Sequence, residues 1–310
     1  MPASADPRIS VDLGHLQRLQ GPSRRLSFLP RQPVRSILNG RHASKLKGRG
    51  LNFEELRHYT QGDDIRTIDW KVTARTRSPY IRVYTEERDR AAMLLVDQRM
   101  SMFFGSVHNM KSVTAAEAAA IAAHRIRAQG DRVGGIVFTD DALVEHRPKA
   151  SPRALHRFLG SVAAANGALN AARQPESRMA LTQPLAATAQ IVRSGGLVMV
   201  FSDFDAWDAQ TEQILSRIAR RNDVILVSVR DPVLEELPAD ARLVVSDGAL
   251  QAQIGGSGEA RAALRAFAEA RLAAMTGFCD RYGIPILPLS TAEETLPQLL
   301  RLMGAREMRT

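Results

Sequence analysis

Ala91-Ala-Met-Leu-Leu-Val-Asp97 is six apolar residues in a row closed by an acid. Such a run fits a strand buried on both faces of a parallel sheet, where helices above and below leave no face for water. The texture returns downstream. Arg132–Phe138 and Gly196–Phe201 read as further buried strands, Asp223–Val229 as a fourth strand, Ile284–Leu289 as a last one, and Ala142–Arg147 and Arg242–Ser246 as edge strands. Residues 111–129, 151–159, 180–194, 207–221, 258–282 and 292–303 read as the helices between them. Ser151 and Pro152 stand as N-cap and first-turn residues of one of these helices. Strands alternating with helices imply right-handed crossovers and an α/β, doubly wound, mostly parallel sheet.

Upstream of that run the texture differs. Residues 1–90 hold 18 Lys/Arg against 10 Asp/Glu, and 15 of the 18 are Arg. Residues 91–310 hold 24 against 23, so nearly all of the net +9 lies before the first core strand. Residues 1–50 interleave arginines with Pro and Gly and read as an irregular basic stretch, with a short amphipathic helix near 10–20 through Val11, Leu13, Leu16 and Leu19. Tyr80-Ile-Arg-Val-Tyr84 alternates as a strand does. The division expected is a basic amino-terminal region over residues 1–84, folded against an α/β domain over residues 85–310.

Much chemistry is excluded. The chain has no phosphate-loop, dinucleotide, nucleophile-elbow or zinc-helix motif. Its seven histidines form no pair with metal-ligand spacing, and the single cysteine, Cys279, reads as a buried thiol. No signal-peptide pattern and no 18-residue apolar run is present, so a cytoplasmic location is expected. Only 5% of residues are aromatic, which argues against a base-stacking platform.

Ligands of open α/β sheets bind beyond the carboxyl ends of the strands. Two acids stand at such ends: Asp97, and Asp203 after Val-Met-Val-Phe-Ser. Ser101 lies in the loop after Asp97. Oxygens gathered there would suit a hard cation such as Mg²⁺.

Asp97-Gln-Arg-Met-Ser101 resembles the Asp-x-Ser-x-Ser metal-ion-dependent adhesion site of von Willebrand factor A-type domains. Upstream, Gly48-Arg-Gly50, Phe53, Arg57-His-Tyr59, Gly62-Asp-Asp-Ile-Arg66, Ile68-Asp-Trp70, Ala74-Arg75 and Glu86-Glu-Arg88 resemble the signature block of the domain of unknown function 58 family. The likeness continues through Ser101-Met102, Gly105, Lys111, Gly130–Val133 and Ser202-Asp203-Phe204, over roughly residues 40–230. The resemblance implies a Rossmann-like A-domain core and association with MoxR-type AAA+ ATPases, with other A-domain proteins as further partners. It also implies a metal set that this chain departs from. Arg99 replaces the first serine, and the threonine position falls near Met179, with Ser177 and Thr182 as imperfect neighbours. A guanidinium repels a cation rather than ligating one. Asp97, Ser101 and Asp203 remain as a degenerate site, Arg99 is expected to stand in for the metal between the two acids, and the expected cofactor set is none.

In the signature block, Asp63, Asp64 and Asp69 lie among Arg57, Arg66, Lys71, Arg75 and Arg77, beside Tyr59 and Trp70. The expectation is an ion-pair network around a buried Trp70 with arginine planes stacked on it, and a surface for a partner. No nucleophile–base pair is evident, so a non-enzymatic interaction module is expected. Two other classes compete with it: anion binding to nucleic acid or an anionic membrane surface through residues 18–90, and a metal-dependent hydrolase using Asp97, Ser101 and Asp203.

Overall fold

The computed structural model describes residues 6–26, 51–60, 68–86, 90–172, 178–234, 243–246, 251–254 and 258–303. Two compact units emerge, Met1–Arg35 together with Arg90–Thr310, and Ser36–Asp89. The short amphipathic helix expected near 10–20 is present. Asp12 accepts from the His15 N–H and starts α1 (Leu13–Arg18), and α2 (Gln20–Ser23) follows at once. Val11 and Leu16 are buried.

In the unit Ser36–Asp89, β1 (Leu51–His58) pairs antiparallel with β2 (Tyr80–Glu86), with α3 (Trp70–Thr76) between them in sequence. The strand foreseen at Tyr80–Tyr84 is β2. β1 was not foreseen, because Glu54, Glu55 and Arg57 hide its alternation. Asp69 caps α3 by accepting from the Lys71 and Val72 N–H groups.

The larger unit is an α/β sandwich. Its elements run β3 (Ala91–Asp97), α4 (Lys111–Ala128), β4 (Arg132–Phe138), β5 (Leu143–Lys149), α5 (Pro152–Gly167), α6 (Thr182–Ile191), β6 (Leu197–Ser202), α7 (Ala209–Ala219) and β7 (Asp223–Arg230). They continue through β8 (Leu243–Ser246), β9 (Gln251–Ile254), α8 (Gly258–Tyr282), β10 (Ile286–Ser290) and α9 (Thr295–Met303). Six strands form one sheet in the order β10-β7-β6-β3-β4-β5. All pairs are parallel except β4 with the edge strand β5. Counted along the chain, this is the 3-2-1-4-5-6 order of a doubly wound sheet, and the order reverses between β3 and β6. Leu243–Ser246 is not an edge of this sheet. It pairs antiparallel with β9 in a separate hairpin, because the place beside β7 is taken by β10.

The apolar runs are buried as their lack of alternation requires. One face of the sheet packs against α6, α7 and α8 in a core holding Met93, Leu95, Val200, Leu226 and Phe278. Cys279 lies in that core, where burial pushes its thiol up to about 12. On the other face α4 lies over β3, β4, β6 and β7. Almost every residue of α4 is buried, so the helix is covered on its outer side too. That cover comes from α1, α2, α5 and α9. Gly135 sits where α5 meets β4; a Cβ there would strike the Phe158 ring and the Leu94 carbonyl.

Histidines and amides fasten the amino-terminal helices to this face. His124 Nε2 donates to the Leu16 carbonyl at 3.0 Å, and His15 Nε2 lies 2.7 Å from Glu117 Oε1. The Val11 N–H donates to Asn166 Oδ1 at 2.8 Å, and Asn166 Nδ2 donates to Gln98 Oε1 at 2.9 Å. Gln98 Nε2 then donates to the Ser112 carbonyl at 3.0 Å. All of these side chains except His15 and Glu117 are deeply buried, so each unpaired amide would carry a desolvation cost.

Candidate functional site at the strand ends

Asp97 ends β3 and Asp203 follows β6, on either side of the point where strand order reverses. Both are buried, Asp97 completely. An isolated carboxylate cannot remain ionised there, so each needs a cation or several donors.

Arg99 supplies them for Asp97. Its Nε donates to Asp97 Oδ1 at 3.0 Å and its Nη2 to Oδ2 at 2.7 Å, a two-pronged pairing. The Arg99 backbone N–H also donates to Oδ1, and Ser202 Oγ–H donates to Oδ2 at 2.6 Å. A carboxylate offers about four lone-pair positions. Asp97 has a donor for each.

Asp203 is held by Lys111, whose Nζ donates to Oδ2 at 2.7 Å. The Asp205 N–H donates to Oδ1 at 3.0 Å, and Arg99 Nη2 stands 4.0 Å from that oxygen. Lys111 opens α4, where the helix dipole disfavours a cation. The Asp203 carboxylate outweighs that cost. Burial alone would raise the Asp203 carboxyl, but Lys111 and then Arg99 hold it well below the ordinary carboxylate range. Burial likewise works against the charge on Arg99, and Asp97 overcomes it, so its guanidinium is more basic than usual.

The rest of the guanidinium is used as well. Nη1 donates to the Met179 carbonyl at 3.0 Å, and Cζ lies 5.5 Å from the Phe138 ring centre. Sequence reasoning placed the missing threonine near Met179; the backbone there meets Arg99 instead. After Asp203 the chain turns through Phe204 (φ 54°) and Ala206 (φ 60°), left-handed values that non-glycine residues adopt at a cost of about 1–3 kcal/mol each. Phe204 pays for this turn by burial against Trp207, whose ring stands edge-on to Phe278.

The structure therefore brings together Asp97, Arg99 and Asp203 from the expected set. Ser101 makes no hydrogen bond to them: its hydroxyl is buried and has no hydrogen-bond partner among the described residues. Sequence reasoning missed Lys111 and Ser202 as site residues, although both fell within the family block. It also missed two more strand-end acids. Asp140, past β4, accepts from the Met100 N–H at 2.6 Å, and burial pushes its carboxyl upward. Asp231, past β7, is fully buried. It accepts from the Ser106 N–H and hydroxyl, the Val233 N–H and the Thr291 hydroxyl, tying the loop after β3 to the end of β10.

These residues do not fit a divalent metal. A hard cation takes six or more oxygens, most with open lone pairs. Here all four positions of Asp97 are used, and Arg99 and Lys111 already pair with the two carboxylates. At about 4 Å and an effective dielectric near 20, each added positive charge would meet a repulsion of about 4 kcal/mol from a resident one. Among the described residues, no group of three or more His, Cys, Asp or Glu side chains is arranged to hold a metal ion.

In the signature block the expected burial of Trp70 is corrected. Trp70 is 68% exposed rather than buried, because it opens a helix that buries none of its residues. Lys71, Arg75 and Arg77 are exposed around it. Asp69 is buried as the helix cap, Tyr59 is half-buried with its N–H donating to the Pro79 carbonyl, and Arg57 lies in β1. Asp63, Asp64 and Arg66 lie outside the described residues. Among the described residues no helix is long and apolar enough to cross a membrane.

Comparison with known proteins agrees with the block read above. The chain is 27% identical over 302 residues to uncharacterized protein Mb1516 of Mycobacterium bovis, covering 93% of this chain and 90% of that one. The same figures hold for uncharacterized proteins MT1527 and Rv1480 of Mycobacterium tuberculosis. The family model described as protein of unknown function DUF58 matches residues 55–274, more than half of the chain, and the protein belongs to that family.

Proposed function

We propose that the protein is a non-catalytic interaction module with a von Willebrand factor A-type core. In this reading it is an adaptor for a MoxR-type AAA+ ATPase in the assembly or maturation of a client complex. The observation that carries the proposal is the state of the strand-end site. In open α/β sheets that crevice receives ligands, and here its acids are spent on Arg99, Lys111 and Ser202 of the same chain. An antiparallel third strand at the sheet edge supports the A-type core. The exposed face of α3, with Trp70 among Lys71, Arg75 and Arg77, supports docking to an acidic partner surface, since Trp and Arg are the residue types that anchor protein interfaces.

The test is a pull-down of the cognate ATPase by the tagged full chain, with and without ATP. Association is expected, and Trp70→Ala with Arg75→Glu should weaken it about tenfold or more. No association in either nucleotide condition refutes the adaptor reading. Salt-sensitive binding to DNA or anionic vesicles in its place would move the assignment to anion binding through the basic region.

A further inference from the structure

We propose that Arg99 and Lys111 are the resident cations of the strand-end site, so that the site neither takes up nor responds to a divalent metal ion. The inference goes beyond the adaptor reading and stands without it.

Three features of the molecule carry it. The first is a count of lone pairs. Asp97 accepts from Arg99 N, Arg99 Nε, Arg99 Nη2 and Ser202 Oγ, which exhausts its acceptor positions. The second is charge. Arg99 is bonded to Asp97, Lys111 is bonded to Asp203, and Arg99 is also 4.0 Å from Asp203, while Asp205 pairs with Arg271 and Asp140 accepts from the Met100 N–H. A dication would have to displace one of the two resident cations or approach both of them. The third is anchorage. Arg99 is fixed on its far side by the Met179 carbonyl and the Phe138 ring, and Lys111 by its place at the start of α4. Neither can swing away without leaving a buried carboxylate unpaired. The guanidinium thus supplies at the strand ends the positive charge a metal would supply: it is hydrogen-bonded to Asp97 at the end of β3 and stands 4.0 Å from Asp203 beyond β6. Unlike a metal, it cannot be lost to a chelator or exchanged.

The experiment uses the full chain, stripped with EDTA and titrated with MgCl₂, MnCl₂ and CaCl₂ to about 10 mM, read by calorimetry and thermal unfolding. Wild type is expected to show no saturable heat and a Tm constant within about 1 °C. The double variant Arg99→Ser with Lys111→Ala restores the serine and clears the ammonium. It should gain Mg²⁺ dependence, a rise of about 3–6 °C at ten times its Kd. Saturable Mg²⁺ binding by wild type that Asp97→Asn abolishes overturns the proposal. So does a double variant that folds but gains no cation dependence, because something other than the two cations would then exclude the metal. If the double variant does not fold, the wild-type titration decides alone: no response upholds the proposal, and a response lost in Asp97→Asn overturns it.

Discussion

Arg99→Met is the substitution whose effect the geometry constrains most. Methionine keeps much of the stem volume and removes the guanidinium. Asp97 then keeps only the Arg99-position backbone N–H and the Ser202 hydroxyl, at a site with no solvent exposure. Removing one partner of a buried ion pair costs about 3–5 kcal/mol, because the remaining charge is left without compensation. The lost bond to the Met179 carbonyl adds about 1 kcal/mol. The total of about 4–6 kcal/mol corresponds to a Tm lower by roughly 8–24 °C. Urea denaturation of wild type, Arg99→Met, Asp97→Asn and the double variant forms a double-mutant cycle. If the pair holds the strand end as described, the double variant is more stable than Arg99→Met, with a coupling energy of about 2–3 kcal/mol or more. A coupling below about 0.5 kcal/mol, or an Arg99→Met variant within 1 kcal/mol of wild type, refutes the reasoning.

Two further outcomes follow from neighbouring contacts. The Asp203 carboxyl is depressed in the folded state by Lys111 and Arg99 against the opposing effect of burial. Its contribution to stability is therefore complete above the unfolded value of about 4 and is lost as pH falls through the lower folded value. Unfolding free energies measured from pH 5 to pH 2 should fall less steeply in Asp203→Asn than in wild type, and equal slopes would contradict the pairing. Asn166→Ala breaks the buried chain from Val11 to Gln98, leaving one donor and one acceptor unpaired. A loss of about 2–4 kcal/mol is expected by urea denaturation, with faster amide exchange across residues 6–26; a loss under 0.5 kcal/mol would show that water replaces the amide without cost.

The sheet was legible because its evidence is local. A parallel strand covered on both faces is apolar over most of its length, and β3, β4, β6 and β7 could each be read to within two residues from their runs alone. β1 escaped because its charges break the period, and the hairpin of β8 and β9 because strand partners are not written in a single segment. The exposure of Trp70 was misjudged for a related reason. Aromatic size favours burial on average, but α3 turns no face to a core. Lys111 was visible within the family block, yet nothing in its own surroundings points to an acid 92 residues away.

By itself the sequence determined the strand runs, the two acids at their ends and the arginine two residues after the first of them. These are facts of composition within short windows, and backbone geometry and desolvation act on them directly. The tertiary structure alone decided that Arg99 and Lys111 divide the two acids between them, that the buried Ser101 hydroxyl finds no hydrogen-bond partner among the described residues, and that α1 and α2 cover α4. Each of these depends on distance through space at a buried position. There a charge or amide has no water to fall back on, and its partner is fixed by the order in which the strands lie side by side.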